Sequence, residues 1–348
     1  MQFNELGKTG IRVSKICLGT MTYGEQNTEV EAHQQMDYAV SQGVNFFDTA
    51  EMYPIPPLEH TQGKTEEYIG TWFKKTSKRK DIFLATKVAG PGMMPYLRGG
   101  AQLVPEQINA ALEASLRRLQ TDYIDLYQIH WPARNTNYFG SMGYKQNDDE
   151  NLITTKILME DAYACLVKAV EQGKVRHLGI SNETPWGAMQ YQLQAQKNTW
   201  PTMISIQNPY NLLNRTYETG LAEISHREHM GLLVYSPLGC GVLSGKYINN
   251  TPADARLTLY ERFTTRYSNQ QGLSATAAYV NLAQECGYTP TQMALSFVNS
   301  RSFVTANIIG ATNMQQLKEN IDSINVKLTD EVLEKIELIH QQHPNPCS

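Results

Sequence analysis

FDTAEMY (Phe47 to Tyr53) is the stretch on which the reading of this chain turns. An apolar run ends on Asp48, and Tyr53 follows in the loop beyond it. The pattern recurs in ATK (Ala85 to Lys87) and LYQIH (Leu126 to His130), whose apolar runs close on Lys87 and His130. Polar groups at successive strand ends meet in space when those strands are neighbours, as they are in a parallel barrel.

Working outward, short apolar strands alternate with helical patterns. The strands are expected at Lys15 to Leu18, Val44 to Phe47, Ile82 to Thr86, Tyr123 to Ile129, His177 to Ile180, Met203 to Ile206, Leu232 to Tyr235 and Val304 to Ile309. Pro105 to Leu119 carries Ile108, Leu112, Leu116 and Leu119 at helical spacing, with proline at the first helical position. Tyr163 to Val170 runs into the helix stop Gly173, and Thr329 caps a last helix with an apolar stripe. Phe3 to Leu6 and Ile11 to Val13 flank a turn and read as a hairpin. Eight strands alternating with helices predict an α/β fold, a single (β/α)₈ barrel domain over residues 1–348. A doubly wound open sheet is the fallback, but no GxGxxG follows the first strand. Three long connections, Ala89 to Val104, Trp131 to Thr155 and Leu238 to Gly272, follow strands and so belong to the C-terminal face, where barrel enzymes build their sites.

Composition narrows the classes. Of 348 residues 41% are hydrophobic and 18% charged, and the net charge of −4 gives no sign of a nucleic-acid surface. The five cysteines are an odd number, widely spaced and without a CxxC pair, which argues against a disulfide framework or zinc site and fits a reducing compartment. No apolar signal core or membrane-length run is present, so a cytoplasmic protein with no membrane partner is expected.

Taken singly, the four polar residues have bland readings. Asp48 suits a turn, His130 a satisfied structural site, and Tyr53 a packed loop; Lys87 must find an anion or reach water. Taken together they make chemistry. Asp48 pairs with Lys87, the ammonium lowers the pKa of the Tyr53 phenol, and Tyr53 becomes a general acid, with His130 donating to the same carbonyl oxygen. None of these groups donates electrons, so a reduction requires a bound hydride carrier.

The second half offers a place for one. Ser181 and Asn182 end LGISN and Gln207 ends ISIQ, side chains that suit a carboxamide, while Tyr235 offers a ring to stack on a flat heterocycle. Ser236 to Lys246 (SPLGCGVLSGK) is a small-residue loop through which backbone N–H groups can approach an anion, although most such loops are only loops. Gly310 to Gln315 (GATNMQ) opens a helix in which Thr312 and Gln315 fit a capping box. Its N-terminus is either a phosphate site or an ordinary capped end.

These segments, with GTMTYG, QNPYN and GATNMQQLKEN, resemble the aldo-keto reductases over nearly the whole chain, and the longer loops are most similar to those of the bacterial Tas-type members. The resemblance implies a carbonyl reductase that uses NADP(H), with NAD(H) as the alternative, on a small aldehyde or ketone. It implies that Tyr53 is the acid, that Lys87 and Asp48 tune it and that His130 orients the carbonyl. Ser181, Asn182 and Gln207 would hold the carboxamide, and Tyr235 would stack on the nicotinamide. Ser236, Leu238, Gly241, Leu243 and Lys246 would cover the pyrophosphate. Gly310, Thr312, Gln316, Glu319 and Asn320 would surround the adenosine end. Many members carry arginine where this chain has Gln316, and Lys246, Arg262 or Arg266 would compensate. Met21, Tyr23, Met52 and Trp131 would line the substrate pocket, under an aromatic insert (Tyr138, Phe139, Met142, Tyr144) that serves as a lid or packs as a rim lobe. Potassium-channel β-subunits resemble the same family and act as binding partners. A regulatory module is therefore the rival reading, but that branch carries asparagine where this chain has His130, and the intact set of four favours an enzyme. A metal-dependent barrel hydrolase is a second rival, and only Asp48 and His130 qualify as strand-end ligands for it.

Overall fold

In the computed structural model, which describes residues 1–147, 150–250, 252–260 and 264–348, eight parallel strands close into a barrel in the order β10-β3-β4-β5-β6-β7-β8-β9. A two-stranded antiparallel hairpin precedes it, β1 (Phe3–Glu5) with β2 (Arg12–Ser14). The barrel strands are β3 (Ile16–Gly19), β4 (Phe46–Asp48), β5 (Phe83–Val88), β6 (Ile124–Ile129), β7 (Val175–Ser181), β8 (Met203–Pro209), β9 (Gly231–Tyr235) and β10 (Val304–Ile309). The principal helices are α1 (Glu29–Ser41), α2 (Lys64–Thr76), α3 (Pro105–Leu119), α4 (Leu152–Glu171), α5 (Pro185–Asn198) and α6 (Leu221–Arg227). They continue with α7 (Arg256–Leu259), α8 (Thr264–Tyr267), α9 (Gln270–Glu285), α10 (Pro290–Asn299), α11 (Met314–Asp322) and α12 (Asp330–Gln342). The expected (β/α)₈ architecture is therefore the observed one. Among the described residues no helix is long and apolar enough to cross a membrane.

Side chains alternate along a strand, so each strand that starts inward with an apolar residue returns inward two residues later. Phe46, Phe83, Leu126, Ile204, Leu233 and Ala306 fill the lower barrel, with the Phe46 and Phe83 rings edge to face at 5.3 Å. Leu6 and Val13 of the hairpin join this cluster from below, and Asn4 Nδ2 ties the hairpin to the Thr305 carbonyl at 2.9 Å. The opposite strand faces pack against the helices in the larger core. At the upper rim, Met52, Tyr53, Met94, Leu97 and Trp131 form a third cluster that fastens the loops after β4, β5 and β6 to one another.

Boundaries differ from the sequence expectation in informative places. The connection expected over Trp131 to Thr155 is cut short because Asn151 caps α4, its side chain accepting from the Ile153 and Thr154 N–H groups. The Leu238 to Gly272 connection holds a 3-10 turn (Gly239–Ser244), α7, α8 and the first turn of α9. At α11 the cap is Asn313, not Thr312; its side chain accepts from the Gln316 N–H at 3.0 Å. Asn313 holds the extended conformation at the helix entrance that a cap requires.

Two helices meet backbone to backbone at Gly70. A Cβ there would lie 2.2 Å from the Arg118 carbonyl oxygen and 2.9 Å from the Leu119 carbonyl carbon. Neither atom belongs to a flexible side chain, so α2 and α3 must separate to admit a methyl group. Gly70→Ala is expected to lower stability by about 1–3 kcal/mol, despite alanine's better helix propensity, measured as a reduced urea midpoint at constant m-value. An unchanged midpoint would show that the two helices are not in contact there.

Candidate active site

The alternation that packs the barrel also places its polar end. Phe46 leads to Asp48, Phe83 and Ala85 lead to Lys87, and Leu126 leads through Gln128 to His130. Adjacent registers, Asp48 beside Ala85 and Lys87 beside Gln128, bring these ends together. Lys87 is wholly buried, and its Nζ donates to Asp48 Oδ1 and to the Thr49 carbonyl, each at 2.7 Å. Burial alone would lower the Lys87 pKa, but the carboxylate and the neighbouring Tyr53 outweigh it and leave the pKa above its ordinary value. The other Asp48 oxygen accepts from Gln207 Nε2 at 2.8 Å and from Gln128 Nε2 at 3.4 Å.

Tyr53 lies in the loop after β4, its N–H on the Ala50 carbonyl and its own carbonyl accepting from Gly63. Lys87 Nζ is 4.9 Å from its ring centroid, and the His130 ring stands edge to face at 5.8 Å. Here one sequence expectation is corrected. Lys87 does pull the Tyr53 pKa downward, but burial pushes it up by more, and the phenol stays above its ordinary value. The site thus keeps Tyr53 protonated rather than ionised. His130 is held well below its ordinary pKa, by burial first and by Lys87 second, and is therefore neutral. Its Nδ1 is buried without a hydrogen-bond partner among the described residues.

A cavity of about 760 Å³ opens from this group and runs across the C-terminal face to α11, a volume suited to a cofactor with its substrate. Ser181, Asn182, Gln207 and Tyr235 line it. Their amide orientations are fixed within the protein. Asn182 Nδ2 donates to the His130 carbonyl at 2.9 Å, and Tyr235 OH donates to Asn182 Oδ1 at 2.7 Å. Ser181 Oγ donates to the Gln207 carbonyl at 2.8 Å.

Farther along, Ser236, Leu238, Gly241 and Lys246 line the cavity. Gly241 holds φ +91, a conformation natural to glycine, and even there a Cβ would approach Lys246 Cε at 3.0 Å. Leu243 does not line the cavity: its side chain is buried in the core and its N–H is spent on the Leu238 carbonyl. Gly310, Thr312, Gln316, Glu319 and Asn320 line the far end. The Gln316 carboxamide folds back onto Thr312, accepting from its N–H at 3.0 Å. Arg262 lies outside the described residues, as do Asp148 and Asp149 of the acidic run.

The wall around Tyr53 is made of Met21, Met52, Ile55, Met93, Trp131 and Phe139. Tyr23 is not part of it. It is fully buried beneath the loop, with its hydroxyl on Gln35 Oε1 at 3.2 Å. Met142 and Tyr144 of the insert are exposed, whereas Phe139 packs against Trp131 at 5.8 Å. Sequence reasoning missed Gln128 and Arg256. Gln128 was legible by period two, two residues before His130. Arg256, which lines the cavity, carried no signal beyond belonging to the long connection.

Two arginines near the wall are already neutralised: Arg98 pairs with Glu51 and Arg134 with Glu183. By contrast Lys246, Arg256 and Arg266, all lining the cavity, pair with no carboxylate among the described residues. Burial, then Arg256, lowers the Lys246 pKa. Three cations with no ion pair among the described residues, beside a glycine-containing loop and with amide side chains and an aromatic at the other end, fit a nicotinamide dinucleotide. Among the described residues no three His, Cys, Asp or Glu side chains gather as a metal site.

Comparison with known proteins agrees with this geometry. The aldo/keto reductase family model matches residues 15–341. The chain is 48% identical over 350 residues to Protein tas of Escherichia coli (strain K12), covering all of both chains. It is 32% identical over 342 residues to an uncharacterized oxidoreductase, YrpG, of Bacillus subtilis (strain 168), covering 96% of this chain and 94% of the relative. It is also 34% identical over 278 residues to an aldo-keto reductase of Babesia bovis, covering 76% of this chain and 98% of the relative. With its closed barrel and its polar strand ends, the chain belongs to the aldo/keto reductase family and is an oxidoreductase.

Proposed function

We propose that the protein reduces aldehydes or ketones to alcohols at the expense of NADPH, with Tyr53 as general acid. The observation that carries this reading is the buried Lys87–Asp48 pair beneath a protonated Tyr53, beside a neutral His130, at one end of a cavity long enough for a dinucleotide. The dinucleotide supplies a hydride to the carbonyl carbon. Tyr53 O–H donates to the carbonyl oxygen and transfers its proton as negative charge develops there. Lys87 stabilises the phenolate left behind, and Asp48 keeps Lys87 charged. Neutral His130 donates a second hydrogen bond to the oxygen, which orients the carbonyl without competing for its proton. The methionine and aromatic wall excludes water and accepts apolar substituents.

Tyr53→Phe is expected to lose at least about 100-fold in turnover on any carbonyl substrate while binding NADPH as the wild type does, because only the proton donor is removed. Loss of binding instead would make Tyr53 structural. Tight binding by the wild type, without turnover on a broad carbonyl panel, would favour the regulatory-module reading.

The pH dependence follows from the two shifts. Tyr53 must be protonated, and its pKa is raised, so activity is lost as pH rises through that pKa. His130 is already neutral and its pKa is lowered, so it creates no loss on the acid side near neutrality. Reductive kcat/KM is expected to stay level from about pH 6 to about pH 9 and to fall beyond. A decline beginning near neutrality would contradict the assignment of Tyr53.

NADPH preference rests on cations other than the residue at Gln316. NADPH is expected to bind at least about tenfold more tightly than NADH, with Lys246→Met narrowing the gap, since each lost charge-assisted phosphate contact is worth about 1.5–3 kcal/mol. Equal dissociation constants, read by fluorescence quenching, would remove the preference.

A further inference from the structure

The segment after α12 returns to the C-terminal face and is bound there along its length. Asn345, at φ +47, accepts from the Arg215 N–H at 2.6 Å. Cys347 is buried, and its N–H donates to the Leu213 carbonyl at 3.1 Å. Two carbonyls of this segment face the cavity loop. Pro346 O accepts from Asn269 Nδ2 at 2.8 Å, and Cys347 O accepts from Arg266 Nε at 3.4 Å.

Arg266 links this segment to the site. Its guanidinium lies against the Tyr235 hydroxyl. That hydroxyl donates to Asn182 Oδ1, and Asn182 Nδ2 donates to the His130 carbonyl. A single run of contacts therefore connects the segment to the backbone of His130. The insert also lies beside this arginine and the C-terminal segment. At Gly140, with φ +86, a Cβ would lie 3.3 Å from Arg266 Cδ and Nε and 3.4 Å from Ser348 O. Arg266 thus lies where the insert and the C-terminal segment meet. It donates to the Cys347 carbonyl and lies against the Tyr235 phenol but forms no ion pair with a carboxylate among the described residues, so its charge remains available to the cavity it lines.

We propose that residues 345–348 form a positioning strap for Arg266, and that Arg266 serves the Tyr235 end of the cofactor cleft rather than the ribose-phosphate end. The inference rests on the cofactor reading given above. A guanidinium restrained by a backbone carbonyl and a phenol presents its remaining N–H groups in a fixed direction, so little side-chain entropy is lost when an anionic or amide group of the ligand arrives. Without the strap, the same arginine reaches solvent and the Tyr235–Asn182 pair loses its outer support.

The test measures NADPH and NADH dissociation constants by fluorescence quenching for the wild type, deletion of residues 345–348, Arg266→Met, Arg266→Lys, and the deletion combined with Arg266→Met. The deletion and Arg266→Met are each expected to raise both constants by about tenfold, with NADPH and NADH affected alike, as loss of a charge-assisted contact shared by both ligands requires. Their combination should be no more than about twofold weaker than Arg266→Met alone, because the strap acts through that side chain. Arg266→Lys should recover only part of the affinity, since an ammonium cannot hold the segment and Tyr235 together. Effects that multiply in the combined variant, or a loss confined to NADPH, would overturn the proposal, as would unchanged constants in a folded deletion variant. Where circular dichroism shows the deletion unfolded, Asn345→Gly loosens the strap while keeping Cys347 buried. It should raise both constants by about threefold, but not in the Arg266→Met background. A wild type that binds neither dinucleotide would refute the cofactor reading itself, and the strap proposal with it.

Discussion

A fully buried ammonium is the constraint around which the upper barrel is organised. Lys87 cannot reach water, so its charge must be met by oxygens, and Asp48 and the Thr49 carbonyl supply them. Replacing such a buried pair by well-packed apolar groups is often neutral or stabilising by about 1–4 kcal/mol, so packing alone does not account for it. What the barrel gains is a fixed positive charge 4.9 Å from the Tyr53 ring centroid. In the proposed reaction that charge matters most when the phenol has given up its proton, so the interaction is strongest in the transition state and weak before it. The raised Tyr53 pKa and the Lys87 pair are therefore compatible: burial keeps the acid protonated at rest, and the ammonium limits the cost of ionising it.

The second organising feature is how positive charge is apportioned. Arg98 and Arg134, in the loops after β5 and β6, are matched by Glu51 and Glu183, and both carboxylates are buried. These pairs bind the loops after β5 and β6 back onto the strand ends, and they leave no free cation beside Tyr53 from those loops. Lys246, Arg256 and Arg266 have no such partners among the described residues and belong to the connection after β9. A chain with net charge −4 thus concentrates unmatched positive charge on one stretch of one cleft. Since the global field is weakly negative, an anionic ligand would be recruited by this local cluster rather than by the whole protein.

Period-two alternation made the barrel and its polar end readable without coordinates: once the strands were aligned, Asp48, Lys87 and His130 had to point the same way. The same rule also held Gln128, which a search for chemically obvious residues passed over. Long-range packing was not legible. Tyr23 sits in a sequence context that suggests a pocket, but the loop above it turns its ring inward to Gln35. Leu243 lies in a loop read for its backbone, yet its side chain is claimed by the core. The cap at α11 moved from Thr312 to Asn313 because Gln316 could serve both residues, a choice that only the loop geometry decides. The sign of the Tyr53 shift was likewise beyond the sequence, which shows the neighbouring charge but not the depth of burial.

Gln207 shows how tightly the two halves of the site are coupled. Its amide nitrogen is committed to Asp48 at 2.8 Å and lies 3.5 Å from Gln128 Oε1. That orientation directs its own oxygen away from the carboxylate, so toward a ligand it acts as an acceptor. A bound carboxamide would therefore meet Gln207 through an N–H, and the contact would reinforce the donation to Asp48 rather than compete with it. The group that would fix the nicotinamide and the group that keeps Lys87 charged are then consecutive members of one hydrogen-bonded chain. Register ties them further: Gln207 lies beside Ser181 across β7 and β8, and Lys87 beside Gln128 across β5 and β6. A slip of one residue in any of these strands would turn the polar set toward the helices, which is why closure of the barrel and assembly of the site are a single structural event.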